Sequence, residues 1–394
     1  MATTKPCVAC NGADASHFTL WLDTVTDALT LSIPFYRTRP YRFLMSVAES
    51  LLGGLGRITF LFGRALGIAS LSDDVEKAVS NRSKLLWKEA QRRDIQMQQM
   101  MLFGKPTDMF VLRHAGKRHF FQSLPLAPEA SALRMDDKVL FKEMMLRERL
   151  PVPKNFSART LKQAREALKE IEVACVKPRT GSNGRHTYPN VKTDEELREA
   201  FESVKQISAY ASVEEYLEGN VCRATCVDSK LIGFLESAYP TIIGDGTSTI
   251  SELIFAGNAQ KKEGIGDMEL SHAVLGFIKR KGYTPDSILP EGTVLPLTYS
   301  AGRSLGGSNR EHGRTIHPSF IEPIERAAKL TGLHIVGFDL IVPDPMQPAD
   351  SQHWGFIESN SLPWIDLHAT PYYGEPVDLS PAVWDLWLTK VIKA

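Results

Sequence analysis

Two acid-bearing segments near the carboxyl end could do chemistry. GFIESNSLPW, Gly355 to Trp364, begins as an apolar run and then carries Glu358 and Asn360, and HIVGFDLIVP, His334 to Pro343, is an apolar, β-branched run broken by Asp339. Side chains alternate along a strand, so Glu358 and Asn360 share one face while Ile357 and Ser359 share the other. A carboxylate buried without a partner is costly, so these acids call for cations or hydrogen-bond donors. Two arrangements satisfy that need. Either Glu358 caps a turn and Asp339 pairs with an arginine, or the three side chains offer Mg²⁺ the oxygen ligands it takes, with phosphates and water completing the shell. The second arrangement asks for a phosphate site elsewhere in the chain.

VACVKPRTGSNGRHTY supplies a candidate. A strand delivers Lys177, Pro178 stops it, and a loop from Gly181 to Gly184 is small enough for backbone N–H groups to approach phosphate oxygens, although the P-loop spacing is absent. Lys138 stands near a helix start in DDK, and in SVEEYLEG Glu214 with the backbone around Tyr216 and Leu217 could read an adenine edge. In VCRATCV, Cys222, Ala224 and Cys226 share one strand face and Arg223, Thr225 and Val227 the other. Arg223 either faces a cleft to bind a carboxylate or makes an ordinary ion pair. His186, His312, His317 and His368 read as solvated or core histidines in preference to substrate contacts.

Whole-chain properties bound the rest. The 394 residues suffice for two or three domains, and 46 basic against 46 acidic residues give no net charge and no footprint for nucleic acid. Five cysteines, Cys7, Cys10, Cys175, Cys222 and Cys226, are too few and irregular for a disulfide framework and suit a reducing cytoplasm. Cys7 and Cys10 form one Cys-x-x-Cys, short of the two pairs a structural zinc site normally uses. The apolar stretch LLGGLGRITFLFGRALGIASL is interrupted by Arg57 and Arg64, which argues against a signal peptide or a membrane span and leaves contact with a membrane surface as the lesser alternative. With the aromatic and arginine residues from Phe35 to Phe43 before it, this stretch is expected to pack on the protein body or between copies of the chain.

The elements follow from changes of period. SDDVEKAVSNRSKLLWKEAQRRDIQMQQMMLF, residues 72–103, has an N-cap candidate, acids in its first turn and apolar residues at helical spacing, and predicts one long helix. DMFVLRH and RHFFQSL around an Ala-Gly turn predict a hairpin. Helices are expected over DDKVLFKEMMLRERL, LKQAREALKEI, TDEELREAFESVK and PAVWDLWLTKVI, with strands at VACVKP, YASVEE and VCRATCVDSKLIGFLES. The result is mixed α/β, with antiparallel sheets because several connections are short.

The order of these segments resembles the ATP-grasp superfamily, and within it the ATP-grasp part of cyanophycin synthetases and their glutathione-synthetase-like relatives. The likeness runs from about Leu85 to the C-terminus, through MDDKVLFKEMMLRERLPVP, VKPRTGSNGRHT, SVEEYLEGNVCR, IIGDGTSTISELI, RSLGGSN with His317 and Pro318, GFDLIVPD and FIESNSLPWIDLH. It implies an α/β (α+β) ATP-grasp fold behind a mostly helical N-terminal extension, 1–75, and a region 76–130. The ATP-grasp domain would be 131–394, with a nucleotide-binding lid at about 150–215 and a metal and substrate part at about 216–394.

Carried over position by position, the resemblance implies that Lys138 and Lys177 hold nucleotide phosphates. Gly181, Ser182, Asn183 and Gly184 would form the loop over them, and Glu214 with the Leu217 backbone would take the adenine. Asp339, Glu358 and Asn360 would hold two Mg²⁺ ions, with Mn²⁺ an admissible substitute. Lys177 and Arg303 become the catalytic candidates, Arg303 stabilising an acylphosphate, and Arg223, Gly306, Gly307 and Ser308 the substrate contacts. Three departures matter. Val221 stands where the family usually has a ribose-binding acid, leaving Glu215 to replace it; Ser237 stands where an arginine usually precedes the GDG segment; and Gly302 with Arg303 replaces an Asn-Leu pair. No Mur-ligase-like region follows before Ala394, so one ligation activity is expected.

The implied activity is an ATP-dependent carboxylate–amine ligase that makes an amide or peptide bond through an acylphosphate. Its substrate would be an amino acid or short peptide, its location the cytoplasm, and self-association is left open. The alternative is a non-catalytic ATP-binding regulatory module of the same fold, which the intact metal set disfavours and Val221 favours.

Overall fold

The structure, a computed structural model, describes residues 62–126, 133–180, 184–261, 265–298, 301 and 306–393, and near the N-terminus 7, 9, 16–18, 20 and 21. The first sheet runs in chain order through β1 (Ala69–Ser72), β2 (Gln96–Leu102), β3 (Lys105–His114) and β4 (Lys117–Gln122). Its β3–β4 connection is the expected hairpin. Ala115 at φ 48° and Gly116 at φ 77° form a two-residue turn with both centres left-handed, whose twist matches the paired strands. β1 lies inside the stretch 1–75 and adds a strand to that extension.

The single helix expected over 72–103 does not form. A 3₁₀ turn at Val75–Lys77 is followed by helix α1 (Asn81–Arg92), capped by Ser80, and then by β2. The chain breaks at Asp94, which takes φ 55°. From there Met97, Gln99 and Met101 alternate inward, and Gln99 is tolerated because its Nε2 donates to the Thr107 carbonyl at 2.6 Å. The apolar period changes from 3.6 to 2 between KLLWKEA and QMQQMML, and a single long window averages over that change.

The second sheet contains β5 (Asn155–Ala158), β6 (Ala174–Pro178), β7 (Tyr188–Val191) and β8 (Ala211–Glu215) in the order β5-β8-β6-β7. Helix α2 (Lys138–Arg147) precedes it, and α3 (Leu161–Ile171) and α4 (Asp194–Lys205) cover one of its faces. Both covering helices start with reciprocal capping boxes, Thr160 with Gln163 and Thr193 with Glu196. Ala174, Val176, Ala211 and Val213 point into that apolar layer. Alternation therefore sends Cys175, Lys177, Ser212 and Glu214 to the opposite face.

The third sheet joins β9 (Asn220–Val227), β10 (Lys230–Ser237), β13 (Asn309–Glu311), β14 (Ile335–Val342) and β15 (Gly355–Asn360) in the order β13-β10-β9-β14-β15, every pair antiparallel. Between its strands, β11 (Thr241–Ile243) and β12 (Val294–Pro296) pair with each other and share a small core with α5 (Ile250–Gln260) and α6 (His272–Arg280). The main core lies between the third sheet, α2 and α7 (Ile321–Thr331), where Phe141 stacks on Phe338 at 5.9 Å. The last helix, α9 (Ser380–Lys393), returns to the first sheet, and Trp384 Nε1 donates to the Leu86 carbonyl at 3.0 Å.

Two local features of the third sheet bear on function. β14 and β15 pair Asp339 with Glu358 and Leu340 with Phe356, so Ile357 is an extra residue, a bulge. Phe356 joins the core with Leu340, while Glu358, two residues on, faces away with Asp339. The second feature is a buried polar relay. His368, in α8 (Asp366–Ala369), places Nδ1 2.6 Å from Glu311 Oε2 and Nε2 2.7 Å from Thr225 Oγ1. Gly233 makes room for that ring, since a Cβ there would lie 2.5 Å from His368 Nδ1. Gly233→Ala is therefore expected to cost about 1–3 kcal/mol by overpacking, read as a lower midpoint of chemical denaturation. An unchanged midpoint would show that the imidazole moves aside.

Candidate active site

The second sheet presents its polar face to α2 and to the third sheet. Glu214, 2% exposed, meets an ammonium at each oxygen: Lys142 Nζ lies 2.6 Å from Oε1 and Lys177 Nζ 2.9 Å from Oε2. Burial alone would raise the Glu214 pKa, but the two lysines outweigh it and hold the carboxyl at about 2. Burial opposes the charge on Lys177 as well, and Glu214 overcomes it, so that pKa is raised. Lys142 fares differently. Burial takes it down to about 8 in spite of Glu214, because one carboxylate cannot compensate two buried cations equally.

Helix α2 supplies the next cation. Asp137 caps it by accepting from the Val139 and Leu140 amides at 2.9 and 3.0 Å, and its other oxygen accepts from Arg179 Nε at 2.9 Å, which ties the helix start to the chain leaving β6. Lys138 and Lys142, one helical turn apart, share a face, while Phe141 and Met145 face the core. Lys138 Nζ lies 3.0 Å from Glu358 Oε2.

On the floor of the cluster Asp339 is the register partner of Glu358 on one side and of Arg223 on the other. Arg223 Nε bonds Asp339 Oδ1, its Nη2 lies 3.0 Å from Oδ2, and Asn360 Nδ2 lies 3.4 Å from the same oxygen. Burial lifts the Asp339 pKa, Arg223 opposes and Glu358 adds, leaving it at about 6. Burial would raise Glu358 too, but Lys138 outweighs it and holds that carboxyl low. Two carboxyls crowded this way, with an amide beside them, are a donor set that fits a hard divalent cation. Arg223 Nη1 is buried and has no acceptor among the described residues. An orphaned guanidinium nitrogen of this kind marks a position where an anionic oxygen fits.

The structure thus brings together Lys138, Lys177, Glu214, Arg223, Asp339, Glu358 and Asn360. Asp339 pairs with an arginine, as one sequence expectation has it, and Glu358 pairs with Lys138 in place of capping a turn. Leu217 is buried, with its Cδ1 3.3 Å from where a Cβ on Gly355 would lie. Gly184 takes φ 62°; Gly181, Ser182, Asn183 and Arg303 lie outside the described residues. Gly306, at φ 91°, leads into Gly307 and Ser308 and is packed so closely on Met268 that a Cβ would lie 2.3 Å from its Cγ. The Ser308 carbonyl accepts from the Ala238 amide beyond β10 at 2.8 Å. Val221 pairs in register with Ile341, and Glu215 accepts from the Lys154 amide at 3.1 Å.

Of the histidines, His368 is core, His317 caps the turn at Pro318–Phe320, and His312 lies 2.8 Å from Glu236. His312 and Glu236 line a concavity of about 550 Å³ with Asn220, Arg310 and Asp344, a group that shares no residue with the lysine and carboxylate cluster. Lys142 is the site residue missing from the sequence expectations. Its signal was the four-residue spacing from Lys138 within DDKVLFK.

Cations from α2 and the antiparallel second sheet thus face paired acids on the antiparallel third sheet, and the architecture is that of the ATP-grasp fold. No protein-family model matches the chain. Over 258 residues it is 31% identical to the cyanophycin synthetase of Trichormus variabilis, which covers 64% of this chain and 29% of that protein. Over 266 residues it is 27% identical to a glutathione biosynthesis bifunctional protein of Clostridium perfringens, covering 65% and 34% of the two chains. Among solved structures it is similar to a bifunctional glutathione synthetase from Pasteurella multocida, with a TM-score of 0.54 and 21% identity over 78% of this chain and 43% of that one. The matched region spans about a third or less of the length of these curated relatives. No described helix is long and apolar enough to cross a membrane.

Proposed function

We propose that the chain is an ATP-dependent carboxylate–amine ligase acting on an amino acid or short peptide. The observation that carries it is the convergence of Lys138, Lys142, Lys177 and the orphaned Arg223 nitrogen on the face that also holds Asp339, Glu358 and Asn360. Lys138 and Lys177 neutralise the nucleotide phosphates, and the backbone at the end of β8, toward Leu217, takes the adenine. Phosphate oxygens replace Glu358 as the partner of Lys138, which frees that carboxylate. Asp339, Glu358 and Asn360 would hold Mg²⁺, two ions by family resemblance, and the bound metal would supply positive charge to offset what develops on the transferring phosphoryl oxygens. Arg223 Nη1 donates to the transferred group or to the acceptor carboxylate. The γ-phosphoryl group passes to a carboxylate oxygen, ADP departs, and an amine attacks the acyl carbon and expels phosphate. The protein supplies position and charge, with no covalent enzyme intermediate.

The test is ADP release on a panel of amino acids and dipeptides with ATP and Mg²⁺. Release that depends on both a carboxylate and an amine supports the ligase; ATP binding with no release on any pair favours the regulatory module, for which Val221 in place of a ribose acid speaks. Calorimetry with a non-hydrolysable ATP analogue separates binding from chemistry. Lys177→Ala is expected to abolish Mg²⁺-dependent binding, and equal affinity in the wild type and the variant would remove Lys177 from the site.

A further inference from the structure

Away from the charged cluster, on the loop that leads from Gly184 into β7, His186 is 1% exposed and faces the N-terminal segment. Its amide donates to the Ala9 carbonyl at 2.7 Å, so residues distant in sequence are fastened at this point. Its Nδ1 lies 2.8 Å from the Ser203 carbonyl, and Ser203 Oγ in turn accepts from Tyr188 Oη at 2.7 Å. A carbonyl accepts only, which places the proton on Nδ1 and the lone pair on Nε2. That lone pair points at Cys7 Sγ, 3.7 Å away. The His17 ring stands edge-on to His186 at 5.2 Å between centroids, and the donor atoms of Cys7, His17 and His186 all lie within 4.8 Å of one another.

We propose that Cys7, His17 and His186 bind a Zn²⁺ ion that clasps the N-terminal segment to the lid two residues beyond Gly184. Zn–S and Zn–N bonds of about 2.3 and 2.05 Å at the tetrahedral angle place sulfur and nitrogen about 3.6 Å apart, close to the observed Sγ to Nε2 spacing. One thiolate and two imidazoles form a borderline-soft donor set that suits zinc and excludes Mg²⁺ and Ca²⁺. The carbonyl behind His186 fixes the tautomer and ring orientation, as the outer partner of a metal-bound histidine does. Histidines thus supply Cys7 with partner ligands; Cys10 lies outside the described residues. Among the described residues the other thiols do not compete, because burial raises Cys175 to about 11 and pushes Cys222 and Cys226 up as well.

Metal analysis of the full-length protein, purified without a histidine tag or chelator, is expected to give about one zinc per chain, and Cys7→Ser to reduce it at least about tenfold. Cys7 is half-buried and its replacement is conservative, so loss of fold does not confuse the reading; His186→Asn, the harsher variant, should lose the metal as well. Cobalt added to metal-stripped wild-type protein is expected to produce a thiolate charge-transfer band that Cys7→Ser lacks and zinc displaces. Protein that retains no zinc after incubation with one equivalent overturns the proposal and leaves Cys7 and His186 as a thiol–imidazole hydrogen bond. A Cys7→Ser variant that keeps the full complement overturns it too. Neither measurement uses ATP or a ligase substrate, so failure here leaves the ligase proposal untouched.

Discussion

Glu214→Gln is expected to destabilise the second sheet by about 3–5 kcal/mol, the cost of removing one partner from a buried ion cluster. The substitution leaves Lys142 and Lys177 buried with no anion between them, and the amide turns an NH2 donor toward one of the two ammonium groups that a carboxylate oxygen had accepted from. Lys142→Met should cost less, since Lys142 is already pushed toward its neutral form. Placed in the Glu214→Gln background, Lys142→Met should recover part of the loss because it removes one of the stranded cations. The acid limb gives a second reading. A carboxyl held at about 2 contributes stability that is fully present above its unfolded value and is lost as pH falls through 2. In that window the unfolded state binds more protons, so wild-type stability rises with pH and that of Glu214→Gln rises less. Denaturant titrations between about pH 5 and pH 2 check both statements. Equal midpoints for wild type and variant would show that water, not Glu214, solvates the lysines.

Glu358→Gln separates chemistry from folding. On the ligase proposal it removes one charge from the metal-binding set and should lower amine-dependent ADP release by about 10²- to 10³-fold, the usual cost of one electrostatic contact in the transition state. Stability should barely move. Neutralising Glu358 relieves its repulsion of Asp339, whose pKa then falls from about 6, and that relief offsets the lost pairing with Lys138. Melting curves and turnover measured side by side decide the matter. A variant that melts early and loses activity in proportion would make Glu358 a structural ion-pair partner only.

Much of this was legible in the sequence because strand alternation is a strict rule. It placed Glu358 with Asn360, and Arg223 with Thr225, on shared faces, and the motif order singled out Lys138 and Lys177, which the structure brings beside Glu358 and Glu214. Three things were not legible, for different physical reasons. Residues 72–103 contain a helix and a strand whose apolar periods blend when read together, and only the left-handed Asp94 divides them. Lys142 is marked in the sequence only by its spacing from Lys138, and its role follows only when Glu214 arrives from β8. Cys7, His17 and His186 come together through tertiary contact across a wide sequence gap, which no local spacing encodes. Arg303 and most of the Gly181–Gly184 loop fall outside the described residues.

The bulge at Ile357 makes the length of β15 part of its chemistry. An exchange of one amino acid for another can alter what stands at position 358, but it cannot turn that position to the other face. Loss of a single codon inside the strand can, and it would send a carboxylate into the aromatic layer of Phe141 and Phe338 or turn Phe356 out among the lysines. Among descendants of this chain, β15 should therefore drift in composition while its residue count stays fixed, and the gaps in any comparison of relatives should gather in the connections on either side of it.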